Sequence, residues 1–220
     1  MPGQPLNAQE HRASLPFIVV LWVVTSGYLA WGLVLHSFDI EQVSAQPAPS
    51  IWPAESRLVR SPGRYTAVMM LDPRCGCSRA SLAELLKLDS QLEGDWQCVV
   101  VIAPNPVSSD SVMLDRVYCA LQGIPGIEVV LDTDSHEARS FQASLSGELM
   151  LYAPEGQLKF RGGITPSRGH EGDSVGALAI RDWVDHGNAI RSECPIYGCR
   201  ISMAHRQVGK LNSDRGISLW

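Results

Sequence analysis

The sequence has no Asp, Glu, Lys or Arg between Ala13 and Phe38. It has no excess of positive charge either: the formal net charge is −5, which argues against the general electrostatic footprint of a nucleic-acid binder. No period of repeat-protein length is visible. No Ser-His-Asp order or carboxylate pair stands out, and "GGITPSRG" lacks the lysine and spacing of a phosphate-cradling loop. These absences leave no ground for a triad hydrolase, a two-carboxylate glycosidase or a P-loop nucleotide enzyme. What remains is an ordinary globular composition, 45% hydrophobic and 19% charged, in 220 residues. That length suits one sizeable domain with appendages.

The uncharged run "LPFIVVLWVVTSGYLAWGLVLHSF", Leu15 to Phe38, has 24 residues. At about 1.5 Å per residue it gives roughly 36 Å of helix, enough to cross a hydrocarbon core of about 30 Å with some tilt. The alternative is a cleaved signal peptide, with "VSA" (Val43 to Ala45) as a tolerable cleavage site. The run is longer than a signal h-region and its positive n-region is poor, so an uncleaved anchor is expected. Arg12 precedes the span, Asp39 and Glu41 follow it, and no Lys or Arg comes after it until Arg57. The positive-inside rule then puts the N-terminus in the cytoplasm and the bulk of the chain outside. The expected organisation is a cytoplasmic N-terminus (1–14), a transmembrane anchor (15–38), a Pro/Ala/Ser/Gln linker (39–56), a folded domain (57–190) and a cysteine-containing tail (191–220). The expected location is the inner membrane, single-pass, with the domain in the periplasm.

Beyond the linker, strand-like and helix-like runs alternate. "YTAVMMLD" (65–72), "WQCVVVIAP" (96–104) and "IEVVLD" (127–132) read as strands. Ser78 to Leu88, Ser108 to Ile124 and Ser135 to Ala143 read as the helices that follow them. "ELMLYAPEGQLKFRGG" (148–163) reads as a hairpin around Pro-Glu-Gly, and Asp173 to Ile190 as a last helix. Residues after Arg191 read as irregular. The order implies a mainly parallel α/β sheet with both faces covered.

"MMLDPRCGCSRASLAELLKL" places Cys75 and Cys77 one glycine apart where the first strand meets its helix. Unpaired N–H groups and the helix dipole favour a thiolate at that point, and Arg74 and Arg79 add positive charge. A Cys-x-Cys disulfide closes a smaller ring than Cys-x-x-Cys, so it is expected to be strained and easily reduced. The residues themselves leave redox exchange and metal binding both open. Topology also brings in "GGITPSRGHEGD" (162–173). If the hairpin's first strand runs antiparallel to the cysteine strand, this loop hangs beside the cysteines. Arg168 is then placed to stabilise a thiolate, His170 to relay a proton or ligate a metal, and Asp173 to orient His170 or cap the last helix. Cys98 and Cys119, on apolar faces, read as buried structural thiols. Cys194 and Cys199 either bond each other in the tail, or Cys199 returns to exchange with Cys75.

Glu128 to Thr165 resembles the second half of the membrane-anchored TlpA and peroxiredoxin branch of the thioredoxin-like superfamily, over a stretch of roughly Arg57 to Ile190. More narrowly, "CGCSRASLAEL", "GGITPSRGHEGDSVG" and "YGC" resemble RedB-type thioredoxin-like proteins. The resemblance implies a thioredoxin-like mixed sheet with helices on both faces. It implies Cys75 as attacking thiol and Cys77 as resolving thiol, and it touches Arg79, His170 and Cys199 but not Cys194. Two departures stand out. The motif is Cys-Gly-Cys, and Gly147 stands where such proteins place a cis-proline that shapes the partner groove.

The expected function is thiol-disulfide exchange outside the cytoplasm, with envelope protein thiols or disulfides, or a small oxidant, as partner, and no cofactor. The alternative is a Cu(I) carrier or sensor using Cys75, Cys77 and His170, with Cys199, Met203 and His205 as further soft or borderline ligands. A third reading keeps the fold as an assembly module.

Overall fold

The computed structural model describes residues 10–38, 47–92, 96–103, 117–119 and 121–201. The chain divides into two compact units, residues 1–41 and 42–220.

The first unit holds helix α1, Glu10–Phe38, 29 residues. Its stretch Pro16–Val34 has a mean hydropathy of 2.0 and is long and apolar enough to cross a membrane. The Thr25 hydroxyl donates within the helix, to the carbonyls of Leu21 (2.9 Å) and Trp22 (3.0 Å). Its polar atom therefore needs no outside partner, as a lipid-facing helix requires.

The second unit is a five-stranded sheet. Strands β1 (Tyr65–Leu71), β2 (Trp96–Ile102) and β3 (Ile127–Leu131) are parallel, and β4 (Glu148–Tyr152) and β5 (Leu158–Gly162) form an antiparallel hairpin. The order is β3-β2-β1-β4-β5, with β4 antiparallel to β1. Helices α2 (Ser78–Gln91), α3 (His136–Ser140) and α4 (Val175–His186) complete it.

The central strands are buried on both faces because their sequences are apolar at successive positions, as a covered parallel sheet requires. Alternation sorts the side chains between two cores. Ala67, Met69 and Leu71 join Cys98, Val100, Leu149 and Leu151 against Leu85 and Leu88 of α2 and Ala179 and Ile180 of α4. Val68, Met70, Val99 and Val101 face the other way, against Phe141, Tyr152 and Leu58. Burying a leucine such as Leu85 fully is worth about 1.5–3 kcal/mol relative to exposure.

Local chemistry places the ends of the elements. Ser174 caps α4, its hydroxyl accepting from Ala177 N–H at 3.1 Å. The cap is thus Ser174, not the neighbouring Asp173. Most of the helix expected over 108–124 lies outside the described residues, and 117–119 within it are helical. Cys98 is fully buried as expected, whereas Cys119 is exposed.

Residues 192–201 run along the sheet. Arg161 N–H donates to Ser192 O (2.8 Å), Cys194 N–H to Arg161 O (3.1 Å) and Gly163 N–H to Pro195 O (3.1 Å). The segment then pairs with the approach to β4: Ser146 N–H donates to Cys199 O at 2.8 Å and Ile201 N–H to Ser144 O at 2.9 Å. Leu145 and Arg200 form an antiparallel bridge there. Glycine makes this docking possible. A Cβ on Gly198 would lie 1.7 Å from Ser146 O, and one on Gly163 would lie 2.7 Å from Pro195 O.

Candidate functional site

β1 ends beside three chain segments, which together form the site. The first is the turn from Asp72 to Ser78. Cys75 N–H donates to Asp72 O (3.0 Å), Ser78 N–H to Cys75 O (3.0 Å) and Ser81 N–H to Cys77 O (3.1 Å). Cys77 is the N-cap residue of α2 and makes no side-chain cap bond. The first-turn N–H groups of α2 and its positive dipole end therefore lie at the cysteine pair.

The second segment is the loop from Ile164 to Asp173. Its base is closed by the Ser174 hydroxyl donating to Ile164 O at 2.7 Å. Its far side is tied to α2, because the buried Glu84 carboxylate accepts from Gly172 N–H at 2.7 Å. The Arg168 charge and the Gly169 N–H both favour the thiolate form of Cys77.

The third segment is the docked tail. Cys199 N–H donates to Cys75 Sγ at 3.3 Å, and Arg168 Nη2 lies 3.5 Å from Cys199 Sγ. Of the two arrangements left open in the sequence, the structure brings Cys199 to Cys75. Cys194 sits instead against Gly162, near the end of β5.

All six cysteines are free thiols in this structure. Cys75 and Cys77 are 5% and 6% exposed, and neither belongs to either apolar core. The sequence suggests perched, solvent-reachable sulfurs; the structure covers them with the loop and the tail.

The electrostatics separate the three thiols. Burial raises the Cys75 thiol. The Cys199 thiol, the N–H groups of Cys199 and Cys77 and the Ser78 hydroxyl together outweigh that, so Cys75 lies below the ordinary thiol value. Burial and the neighbouring Cys75 charge raise Cys77, against the pull of Arg168. Burial and hydrogen bonding to Cys75 push Cys199 up to about 11. The balance favours the thiolate at Cys75 over Cys77 and Cys199, whose thiols both lie above the ordinary value.

The other expected site residues divide. Arg79 lies exposed on the first turn of α2; the cation acting on Cys77 and Cys199 is Arg168. His170 is exposed, and its Nδ1 is 2.8 Å from Arg168 O, a bond to its own loop. Among the described residues no group of three His, Cys, Asp or Glu is placed to hold a metal. The set Cys75, Cys77 and His170 therefore does not form a site as drawn, and Met203 and His205 lie outside the described residues.

Several residues at the site gave no signal in sequence. Ser146 Oγ accepts from Asp72 N–H at 2.9 Å and lies 2.8 Å from Ser78 Oγ, which donates to Asp72 O at 2.7 Å. This buried hydroxyl pair fixes the turn that carries Cys75. Gly147 also has a specific reason to be there: its φ is +83° and its N–H donates to Met70 O at 2.7 Å. Proline has neither that φ nor an N–H. Next to it, the fully buried Glu148 pairs with Arg161 at 2.6 Å and accepts from the N–H groups of Ser144 (3.1 Å) and Leu145 (3.3 Å).

A three-stranded parallel unit, a closing antiparallel hairpin and a cysteine pair at the head of the first domain helix define a thioredoxin-like domain. The chain has the thioredoxin-like fold. No family model and no curated protein matches the sequence. Among solved structures, hypothetical protein SMc02350 from Sinorhizobium meliloti 1021 is similar at 20% identity and a TM-score of 0.55, covering 65% of this chain and 81% of that one. An uncharacterized conserved protein from Geobacillus kaustophilus is similar at 17% identity and a TM-score of 0.55, covering 76% and 93%. StoA from Bacillus subtilis follows at 12% identity and a TM-score of 0.42, covering 64% and 98%. At these identities the likeness is one of fold. It does not extend to the TlpA or RedB branch.

Proposed function

We propose that this protein is a membrane-anchored thiol-disulfide oxidoreductase acting outside the cytoplasm through the Cys75-Gly76-Cys77 segment. The observation that carries this reading is the state of Cys75. Its sulfur accepts the Cys199 N–H at 3.3 Å at the head of α2, and its thiol lies below the ordinary value. A sulfur that accepts a backbone N–H at a helix head, with its thiol biased toward the thiolate, is suited to attack a disulfide.

The Cys75 thiolate attacks one sulfur of a partner disulfide. The Cys75–partner bond forms, the partner's S–S bond breaks, and the released partner sulfur takes a proton. A second thiol of the protein loses its proton and attacks the Cys75 sulfur, releasing the partner's other sulfur as a thiol. The partner gains two electrons and the protein's two thiols lose them. The reverse direction runs through the same mixed disulfide. Partners on this reading are envelope proteins with reactive thiols or disulfides, or a small oxidant. The helix Pro16–Val34 supplies the anchor, and the charge asymmetry around it supports an outward-facing domain.

The test is a redox titration of the full chain, reading thiol content by alkylation. A reversible two-electron step is expected in the range of known thiol couples, roughly −350 to −100 mV. Cys75→Ser should abolish it. No step in the intact chain would sink the reading.

A further inference from the structure

We infer that Cys199, brought in by the docked tail, is the thiol that resolves the mixed disulfide at Cys75, so that the oxidised protein is closed by a Cys75–Cys199 bridge rather than a Cys75–Cys77 bridge. This inference rests on the thiol-exchange reading and assigns the second thiol within it.

Four observations carry it. First, the tail sets the Cys199 backbone directly on the attacking sulfur, with the Cys199 N–H donating to Cys75 Sγ. Second, it is held there from both sides. Ser146 N–H binds Cys199 O, Ile201 N–H binds Ser144 O, and Gly163 N–H anchors Pro195 upstream. Gly163 and Gly198 are both positions where a side chain would collide with backbone, and both serve the seating of this one segment.

Third, Arg168 Nη2 lies 3.5 Å from Cys199 Sγ. A resolving thiol must become a thiolate to attack. Arg168 favours that form against the burial and the Cys75 contact that hold the reduced Cys199 thiol up at about 11, and the Cys75 charge is gone once Cys75 is in a mixed disulfide. Fourth, Cys77 is bound into the local backbone. Its own carbonyl holds Ser81, the Cys75 carbonyl holds Ser78, and it is the N-cap residue of α2. Closing a Cys-x-Cys ring there strains the head of the helix. Cys199 is 124 residues from Cys75 in sequence, and bonding to it closes no short ring.

The step balances simply. The Cys199 thiolate attacks the Cys75 sulfur of the mixed disulfide. The Cys75–Cys199 bond forms, the Cys75–partner bond breaks, and the partner sulfur leaves as a thiolate that takes a proton from water. Cys199 gives its own proton to solvent on becoming the nucleophile.

Trypsin separates the possibilities. Cleavage after Arg74, Arg79, Arg191 and Arg200 yields Cys75–Arg79, with both site cysteines, and Ser192–Arg200, with both tail cysteines. The full-length protein in detergent is reduced, treated with oxidised glutathione, alkylated and digested. The two peptides should appear joined by one disulfide in the wild type, in Cys77→Ser and in Cys194→Ser. In Cys199→Ser and Cys199→Ala the joined species should vanish. A glutathione adduct at Cys75 should then persist on the order of tenfold longer or more, because an intramolecular resolving step has been lost.

A wild-type bridge confined to Cys75–Arg79, or one between Cys194 and Cys199, would overturn the inference. So would wild-type resolution of the adduct in both Cys199 variants. Each of these results leaves the exchange reading standing if Cys75 still takes up glutathione. No adduct and no bridge at Cys75 would defeat the exchange reading itself.

Discussion

At the residue scale, the chemistry depends on how the neighbours of Cys75 divide the proton load. Its thiol lies below the ordinary value because the hydrogen bonds outweigh burial. The thiolate fraction at neutral pH is therefore larger than that of a free cysteine, and reactivity climbs and levels off earlier as pH rises. Alkylation of Cys75 by iodoacetamide should reach half its maximal rate at a lower pH than that of a free cysteine measured alongside. Cys199→Ala should move that midpoint upward, since the side-chain donor is removed. A midpoint at or above the free-thiol value in the wild type would refute the assignment. A second prediction concerns Glu148. Removing one partner of a buried ion pair leaves a charge without compensation, at a cost of about 3–5 kcal/mol. Glu148→Ala should lower stability by that order in urea denaturation, with Glu148→Gln milder. Cys75 and Cys77 were legible in sequence because they lie within one short motif at a strand end. Ser146, Gly198 and the Glu148–Arg161 pair were not, because each meets its partner only through the tertiary fold.

At the element scale, the loop and the tail decide what reaches the sulfurs. The strands, and those flanking helices that lie within the described residues, followed from apolar runs and helical spacing, and their observed bounds differ by a few residues. The tail escaped because it forms no periodic element. Its hydrogen bonds go to the edge strand and to the approach to β4, which leaves no periodic signature in the sequence. The loop was placed correctly by strand direction alone, since β4 runs antiparallel to β1. Within the loop, the His170 ring turns its Nδ1 to Arg168 O at 2.8 Å, a contact that spacing alone does not disclose. Gly198→Ala is the sharpest probe of the tail. Its Cβ would meet Ser146 O at 1.7 Å, which no local adjustment of a side chain relieves. The variant should keep the sheet and its far-ultraviolet circular dichroism but lose the Cys75–Cys199 bridge after oxidation. An unchanged bridge in Gly198→Ala would show that the seat is unimportant.

At the scale of the whole molecule, two behaviours follow. A Cys75–Cys199 bridge ties positions 124 residues apart, and in the chain-entropy treatment a loop of that size is worth up to about 5 kcal/mol. The oxidised protein should melt several degrees above the reduced one, and Cys199→Ser should erase the difference. If the helix Pro16–Val34 serves as the proposed anchor, the protein stays in the membrane pellet through alkaline carbonate extraction. A soluble chain beginning near Gln46 would show that the leading helix is removed. The tail's pairing with residues 144–146 has one more consequence. Those backbone groups are where an extended peptide lying against Cys75 would dock by adding a strand, and the protein's own C-terminal stretch already fills that berth. On the proposed exchange reading, a large client would have to displace this internal competitor before reaching the sulfur. Loosening the tail should speed the first attack of Cys75 on protein disulfides and, by unseating Cys199, slow resolution of the mixed disulfide for protein and small disulfides alike.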